Sequence, residues 1–115
     1  MAFATDYLAT EPAPSDVAAL RGRVALEFGA PWCGHCQAAQ PAMAQVLQER
    51  EDASHLKIED GKGRPLGRAY RVKLWPTLVL LRDGEEVARV VRPRSAEDLA
   101  QALAQWDAAS GAAPG

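Results

Sequence analysis

Cys33 and Cys36 are the only cysteines in the 115-residue chain, and they are three residues apart. Side chains with this spacing lie on one face of a helix, so the two thiols can reach each other if the segment is helical. One thiolate could then attack a disulfide of another molecule, and the second thiol could attack the resulting mixed disulfide and release the reduced product. The spacing therefore indicates reversible dithiol–disulfide chemistry.

Metal and haem sites fit this cysteine pair less well. Structural zinc usually needs about four Cys or His ligands, and iron–sulfur clusters usually take four cysteines. Apart from the cysteines, only His35 and His55 could contribute, and His35 stands between the cysteines, where it would strain a tetrahedral site. A c-type haem signature needs His at the position that Gln37 occupies. We expect no metal site, and delivery of zinc or copper(I) by the two thiolates is a remaining alternative.

Patterns of apolar residues predict how the chain positions the two thiols. They indicate a strand at residues 24–28, in which only Glu27 is polar, and a helix from Cys33 to about residue 50 with a kink at Pro41. Free backbone N–H groups and the helix dipole stabilise a thiolate at a helix start. We therefore expect Cys33 to follow a central strand and to carry the reactive thiolate.

The remaining predicted elements complete an alternation of helices and strands. They are a helix at 15–20, a strand at 56–59, a short helix at 66–70, strands at 77–81 and 86–91 joined by a turn at Asp83-Gly84, and a final helix capped by Ser95. The first crossover, between the strands at 24–28 and 56–59, should be parallel and right-handed. The order predicts an α/β fold of three layers, with a central mixed sheet flanked by helices.

The chain divides into three predicted parts. Residues 1–14 contain two prolines and form an N-terminal lead-in with at most one weak strand at residues 3–8. Residues 15–107 form the folded domain, and residues 108–115, rich in Gly, Pro and Ala, form a disordered tail. The N-terminus has neither the positive cluster nor the apolar run of a secretory signal, so we expect a cytoplasmic protein.

Charge and composition argue against several classes of partner. Thirteen Lys and Arg residues against fifteen Asp and Glu residues give a net charge of −2 and a sequence pI of about 5.6. No global basic field is therefore available to attract nucleic acid or anionic lipid. No stretch approaches the roughly 20 apolar residues of a membrane helix. We expect a monomer that binds neither nucleic acid nor membranes.

Beyond these patterns, the sequence resembles the thioredoxin family over residues 15–107. The matching motifs are LEFGAPWCGHC followed by Pro41, the tripeptide Trp75-Pro76-Thr77 about forty residues after the dithiol, and the Asp83-Gly84 hairpin. The resemblance implies a thioredoxin-like fold and a thiol–disulfide oxidoreductase that reduces or exchanges protein disulfides. It also implies that the Cys33–Cys36 disulfide is the redox centre and that no separate cofactor is needed.

The resemblance further implies a role for each group at the dithiol. Cys33 would be the exposed nucleophile and Cys36 the buried resolving thiol. Glu27 would be a buried carboxylate that takes the proton from Cys36 during resolution; the alternative is a strand-edge Glu that faces water. A nearby cation would modulate Glu27, and both Lys57 and His55 are candidates.

Substrate binding is expected on one side of the dithiol, at Trp32, Gly34, Trp75 and Pro76. The family position implies a cis peptide before Pro76, with backbone groups presented to an extended substrate. Trp75 differs from the family, which commonly has an aliphatic or small residue there, and could narrow the groove or simply pack. Arg92 also departs from the family, which often has Gly near this loop. With Arg94 it could favour thiolate or acidic substrates, although a solvated pair of arginines is the safer interpretation.

His35 bears on the direction of electron flow. CGHC resembles the active sites of protein disulfide isomerase domains, and a His at this place can stabilise the Cys33 thiolate. The alternative is a tolerated residue that faces solvent. We expect net reduction of cytoplasmic protein disulfides, with a flavoprotein thioredoxin reductase or glutathione as the electron donor. The alternatives are an oxidase or isomerase, if the natural precursor is exported, and a protein-binding module with little redox role.

Overall fold

In the computed structural model, which describes residues 3–109, a four-stranded sheet has the order β2-β1-β3-β4. β1 (Arg23–Gly29) is parallel to β2 (Ser54–Glu59) and antiparallel to β3 (Thr77–Arg82), and β3 is antiparallel to β4 (Glu85–Val91). Residues 24–29 of β1 are all buried, as expected of a central strand covered on both faces. The mixed sheet and the parallel first crossover confirm the predictions.

Within residues 3–109, four helices cover the two faces of this sheet. α2 (Gly34–Leu47) and α4 (Ala96–Ala108) pack on one face, and α1 (Pro14–Ala18) and α3 (Pro65–Ala69) contribute to the core on the other. None of the helices described between residues 3 and 109 is long and apolar enough to cross a membrane. The predicted three-layer α/β architecture is therefore confirmed, with an α2/α4 face and an α1/α3 face.

Three predicted elements differ from the observed ones by two residues or more at one end. α1 begins at Pro14 and ends at Ala18, not at residues 15–20, because proline suits the first turn of a helix. α2 ends at Leu47, not near residue 50, and the chain turns there. β2 begins at Ser54, two residues earlier than predicted. The last difference matters most for function, because it places His55 inside the sheet.

The N-terminal segment forms no strand. Residues 3–13 contain neither helix nor strand, because their backbone does not make a ladder. Leu8 N–H donates to the carbonyl of Lys57 (2.9 Å), whereas Ala4 N–H donates to the side chain of His55 (2.7 Å). The predicted weak strand at 3–8 is therefore absent, and in its place the segment lies against β2 through isolated hydrogen bonds.

The hairpin and the last helix are as predicted. Asp83 and Gly84 both have positive φ (51° and 86°), which is typical of the two-residue turn that joins antiparallel strands. The Ser95 side chain caps α4 by accepting a hydrogen bond from Asp98 N–H (3.3 Å). α4 continues to Ala108, and most of the predicted tail at 108–115 lies outside the described residues.

Candidate active site

Cys33 lies where β1 has ended and α2 begins. It is the N-cap residue of α2, and its Sγ accepts a hydrogen bond from Cys36 N–H (3.2 Å). A sulfur at this position faces free backbone donors and the positive end of the helix dipole, and both favour negative charge on it. Both cysteines are free thiols in this structure. The predicted placement at a strand-to-helix junction is confirmed.

The two thiols differ less in exposure than expected. Cys33 is only 7% exposed, because Trp75 and Ala30 pack against it, and Cys36 is 1% exposed. The expectation of an exposed Cys33 was therefore wrong in degree, although Cys33 is the more accessible thiol. Burial, followed by the hydrogen bond with Cys33, raises the pKa of Cys36 to about 12. At neutral pH Cys36 is a thiol, and it must lose a proton before it can attack.

Glu27 is fully buried, which excludes the alternative of a strand-edge Glu facing water. Its Oε1 lies 2.9 Å from His55 Nε2, and its Oε2 accepts a hydrogen bond from Gln40 Nε2 (2.7 Å). Lys57 Nζ is 4.0 Å from Oε2 and donates to Gln40 Oε1 (3.0 Å). Both candidate cations therefore flank the carboxylate: His55 contacts it directly, and Lys57 is linked to it mainly through an amide.

Strand register explains this cluster. The parallel pairing of β1 with β2 places Lys57 beside Glu27 and His55 two residues earlier, so all three side chains share the α2/α4 face. His55 Nδ1 accepts a hydrogen bond from Ala4 N–H, so its proton must be on Nε2. His55 in its neutral form therefore donates to Glu27 Oε1, which is the arrangement that an ionised carboxylate prefers.

A cleft of about 400 Å³ opens beside Cys33, and three of the four predicted substrate-binding residues, Trp32, Gly34 and Trp75, line it. Pro76 is buried and does not line the cleft. The Trp75–Pro76 peptide is cis, as the resemblance implied. Trp75 is half-buried, and its Nε1 donates to Asp60 Oδ2 (2.8 Å), which fixes the indole in the cleft wall. Trp32 is 72% exposed and meets Trp75 edge-on, with 5.5 Å between the ring centroids.

The rim of the cleft carries positive charge. Arg92 has positive φ (54°), and its Nε donates to the carbonyl of Trp75 (2.7 Å), so its side chain is held against the cis peptide. His35 is exposed on the first turn of α2, between this cleft and a second cavity of about 290 Å³ that Arg92 and Arg94 also line. Gly34 is exposed beside it. His35 is thus separate from the buried cluster around Glu27.

Two residues of the site were missed by the sequence analysis. Gln40 also donates from Nε2 to the carbonyl of Cys36 (2.9 Å), and its position four residues after that cysteine could have identified it. Tyr7 belongs to the irregular N-terminal segment and lines a cavity together with Cys36, Gln40 and Lys57. No pattern in the sequence predicted that this segment reaches the dithiol.

The assembled site joins two unequal thiols to a buried carboxylate. This arrangement can transfer a disulfide: one sulfur attacks, the other resolves, and a buried base is nearby to hold a proton. Within residues 3–109, no group of three or more His, Cys, Asp and Glu side chains is arranged to hold a metal ion.

Comparisons with known proteins place this geometry in a family. The family model for thioredoxin matches residues 7–105. A solved structure, thioredoxin 2 from Pseudomonas aeruginosa PAO1 in its reduced form, is 54% identical with a TM-score of 0.80, and the match covers 90% of this chain and 96% of that one.

Curated relatives are matched over shorter stretches. Thioredoxin H2-1 of Oryza sativa subsp. japonica is 37% identical over 68 residues, which are 59% of this chain and 49% of the relative. Protein disulfide-isomerase of Hordeum vulgare is 34% identical over 87 residues, 70% of this chain and 17% of that relative. The chain thus spans half or less of the length of these two relatives. Because the family model covers most of the sequence and a solved thioredoxin matches it nearly from end to end, the chain belongs to the thioredoxin family.

Proposed function

We propose that the protein is a thiol–disulfide oxidoreductase that reduces or exchanges disulfides of other proteins. The observation that carries this proposal is the unequal pair of thiols at the start of α2, with Cys33 at the helix cap and Cys36 buried behind it. The two environments suit two different steps of thiol exchange. The helix cap favours the thiolate of Cys33, which attacks first, and burial keeps Cys36 protonated until the resolving step.

The reaction has two steps. The Cys33 thiolate attacks a substrate disulfide, forms a mixed disulfide and expels one substrate thiolate. The Cys36 sulfur, after losing its proton, attacks Cys33; the Cys33–Cys36 bond forms, the bond to the substrate breaks, and the second substrate thiolate leaves. Two electrons pass to the substrate, and the dithiol becomes a disulfide.

Glu27 is the proposed acceptor of the Cys36 proton. Hydrogen bonds from His55 Nε2 and Gln40 Nε2 hold its two oxygens in place in the core. His35, at the exposed rim, would add positive charge near the Cys33 thiolate when it is protonated. An extended substrate segment would lie in the cleft against Trp32, Gly34, Trp75 and Pro76.

Cytoplasmic protein disulfides are the proposed substrates, with a flavoprotein thioredoxin reductase or glutathione returning the electrons to a monomer. Both cysteines of the chain are in the site, so none remains for a structural disulfide of the kind common in oxidising compartments. The redox disulfide itself carries the electrons, as it does throughout the thioredoxin family, so no separate cofactor is proposed.

An oxidising or isomerising role is the second candidate. It is favoured by the CGHC sequence, which puts His35 beside the reactive sulfur, and by the 34% identity with a protein disulfide-isomerase. Equilibration against glutathione buffers separates the two roles: a potential of about −270 mV supports a reductase, and one of about −180 mV supports an isomerase.

Reduction of insulin by dithiothreitol is the direct test. Cys33→Ser should abolish catalysis because no sulfur remains to attack. Cys36→Ser should also stop turnover, but when it is mixed with insulin in the absence of dithiothreitol it should accumulate a covalent adduct of Cys33 with the insulin chain that mass spectrometry detects. If the wild type does not reduce insulin, or if Cys33→Ser retains its activity, the protein is a binding module and the proposal is wrong.

A further inference from the structure

The N-terminal segment holds one side chain against the resolving thiol. Residues 3–8 are tied to β2 at two points, through Ala4 N–H to His55 Nδ1 (2.7 Å) and through Leu8 N–H to the carbonyl of Lys57 (2.9 Å). Tyr7 lies between these points, and Lys57 Nζ is 4.6 Å from the centroid of its ring. The backbone is therefore anchored on each side of Tyr7, and the cation–π contact with Lys57 holds the ring itself.

Gly29 makes room for the Tyr7 hydroxyl beside Cys36. A Cβ at Gly29 would lie 2.5 Å from Cys36 Sγ and 3.1 Å from Tyr7 Oη, so both polar atoms approach the same bare Cα. Burial is the main cause that raises the pKa of the Tyr7 phenol, and the neighbouring Cys36 and Glu27 raise it further. At neutral pH the phenol is therefore a hydrogen-bond donor that faces the resolving sulfur.

We propose that Tyr7 is a further catalytic residue: its hydroxyl donates a hydrogen bond to Cys36 Sγ as that sulfur becomes a thiolate. This proposal rests on the proposed function and adds to its second step. While Glu27 takes the proton from Cys36, Tyr7 keeps its own proton and stabilises the charge left on sulfur until the Cys33–Cys36 bond forms. A donor fixed in advance at a site of developing charge lowers the barrier without reorganisation.

The effect should be kinetic and leave the equilibrium unchanged. With a pKa of about 12, Cys36 is a thiol in the reduced protein at neutral pH and part of a disulfide in the oxidised protein. Its thiolate exists only in passing, so a donor to that thiolate speeds resolution and leaves the reduction potential where it was. The other charged or titratable groups around the sulfur are Glu27, Lys57, Cys33 and, at the mouth of the cavity, Asp6. All of them stay in place in Tyr7→Phe.

Tyr7→Phe tests this role, and Tyr70→Phe is its matched control. Tyr70 is the other tyrosine of the chain, and its ring packs on Phe28 at the α1/α3 face, away from the thiols. The reduced proteins are mixed with 5,5′-dithiobis(2-nitrobenzoate) in a stopped-flow instrument. Attack by Cys33 releases the first thionitrobenzoate, and resolution by Cys36 releases the second, so the two steps are read as separate phases.

We expect the second phase of Tyr7→Phe to slow by about tenfold or more, as loss of a hydrogen bond to a charged group predicts. The first phase and the reduction potential should be unchanged, and Tyr70→Phe should match the wild type in both phases. In a Cys33→Ser background, Tyr7→Phe should also slow alkylation of Cys36 by iodoacetamide at pH 9 by a similar factor, because fewer molecules carry the thiolate.

An unchanged second phase in Tyr7→Phe would overturn the proposal, and so would an equal slowing of both phases, which indicates a structural role. An equal loss in Tyr70→Phe would overturn it as well. If the wild type releases no second thionitrobenzoate, the proposed function fails and Tyr7 loses its role with it. If the second phase is slow while insulin binding and the first phase are normal, the result supports a role of Tyr7 in the resolving step only.

Discussion

The two faces of the sheet bury different kinds of side chain. On the α1/α3 face, the core consists of buried apolar residues: Val17, Val24, Leu26, Phe28, Ile58, Leu66, Val79 and Leu81. The α2/α4 face is also mainly apolar, yet it buries three ionisable side chains, Glu27 (0% exposed), Lys57 (5%) and His55 (7%). The contrast is sharpest within β1, where the neighbours Leu26 and Glu27 are both fully buried and point to opposite faces.

The difference suggests that the α1/α3 face mainly stabilises the fold, whereas the α2/α4 face also carries the groups around the dithiol. Burying a charged group costs free energy, and hydrogen bonds offset that cost only in part. On the α2/α4 face such a group is buried next to the dithiol, where His55 and Gln40 hydrogen-bond to Glu27. The α1/α3 face has no such cost and contributes apolar burial. Substitutions on the two faces should therefore affect different measurements.

The largest effect is expected for Leu26→Ala. Removing a fully buried leucine leaves a cavity, so the free energy of unfolding should fall by about 2–5 kcal/mol. Urea unfolding measures this, with Leu20→Ala, at a leucine that is 37% exposed, as a control that should lose much less. The rate of disulfide reduction per folded molecule should stay at the wild-type value. A loss of activity without a loss of stability would show that the two faces are not separate.

Glu27→Gln should show the opposite pattern, in which activity falls and stability is much less affected. Glu27 is the proposed base for Cys36, so this substitution should slow the resolving step by about a hundredfold and leave attack by Cys33 unaffected. Because the Cys36 pKa is about 12, the thiolate fraction grows with pH, and the slow phase should recover about tenfold per pH unit above neutrality. The exposed Glu51→Gln is the control. Resolution at the wild-type rate in Glu27→Gln would remove this carboxylate from the mechanism.

The smallest effect at neutral pH is a change in pH dependence, because it develops only above about pH 9. The pKa of Cys36 is raised from 9.0 to about 12 in the folded protein, so the unfolded chain releases this proton first as the pH rises. The stabilisation from this thiol is fully present below about pH 9 and is lost progressively as the pH rises from about 9 to 12. In Cys36→Ala, the plot of unfolding free energy against pH should be less steep over this range. Parallel plots for the two proteins would mean that burial does not perturb this thiol.

Much of the α2/α4 face was predictable from the sequence. The apolar run of β1 and the helix that begins after Cys33 placed the dithiol at a strand-to-helix junction, because both patterns are local and strong. Glu27 stood out as the one polar residue of a buried strand. The choice between His55 and Lys57 stayed open because a small insertion in the Gly-rich stretch makes the match to the family ambiguous there. In addition, β2 was predicted two residues too short. The alternation of polar and apolar residues in His55-Leu56-Lys57-Ile58 would have placed both on one face of the sheet.

The rest of the site depends on contacts that local patterns do not encode. Tyr7 reaches Cys36 from a segment without helix or strand, and its position depends on hydrogen bonds to residues about fifty positions away. The burial of Cys33 likewise depends on Trp75, which is distant in the sequence and anchored by Asp60. Such contacts follow from the tertiary fold, so periodicity and capping rules do not predict them.

The attachment of residues 3–8 to β2 also bears on self-association. β2 and β4 are the two edges of the sheet, and an open edge can pair with a second molecule and start aggregation. The N-terminal segment lies along the β2 edge, where Leu8 N–H donates a hydrogen bond to the carbonyl of Lys57. The other edge strand, β4, carries the charged residues Glu85, Glu86 and Arg89. The segment that brings Tyr7 to the thiols thus also protects an edge strand, so shortening the N-terminus would lower solubility as well as slow the chemistry.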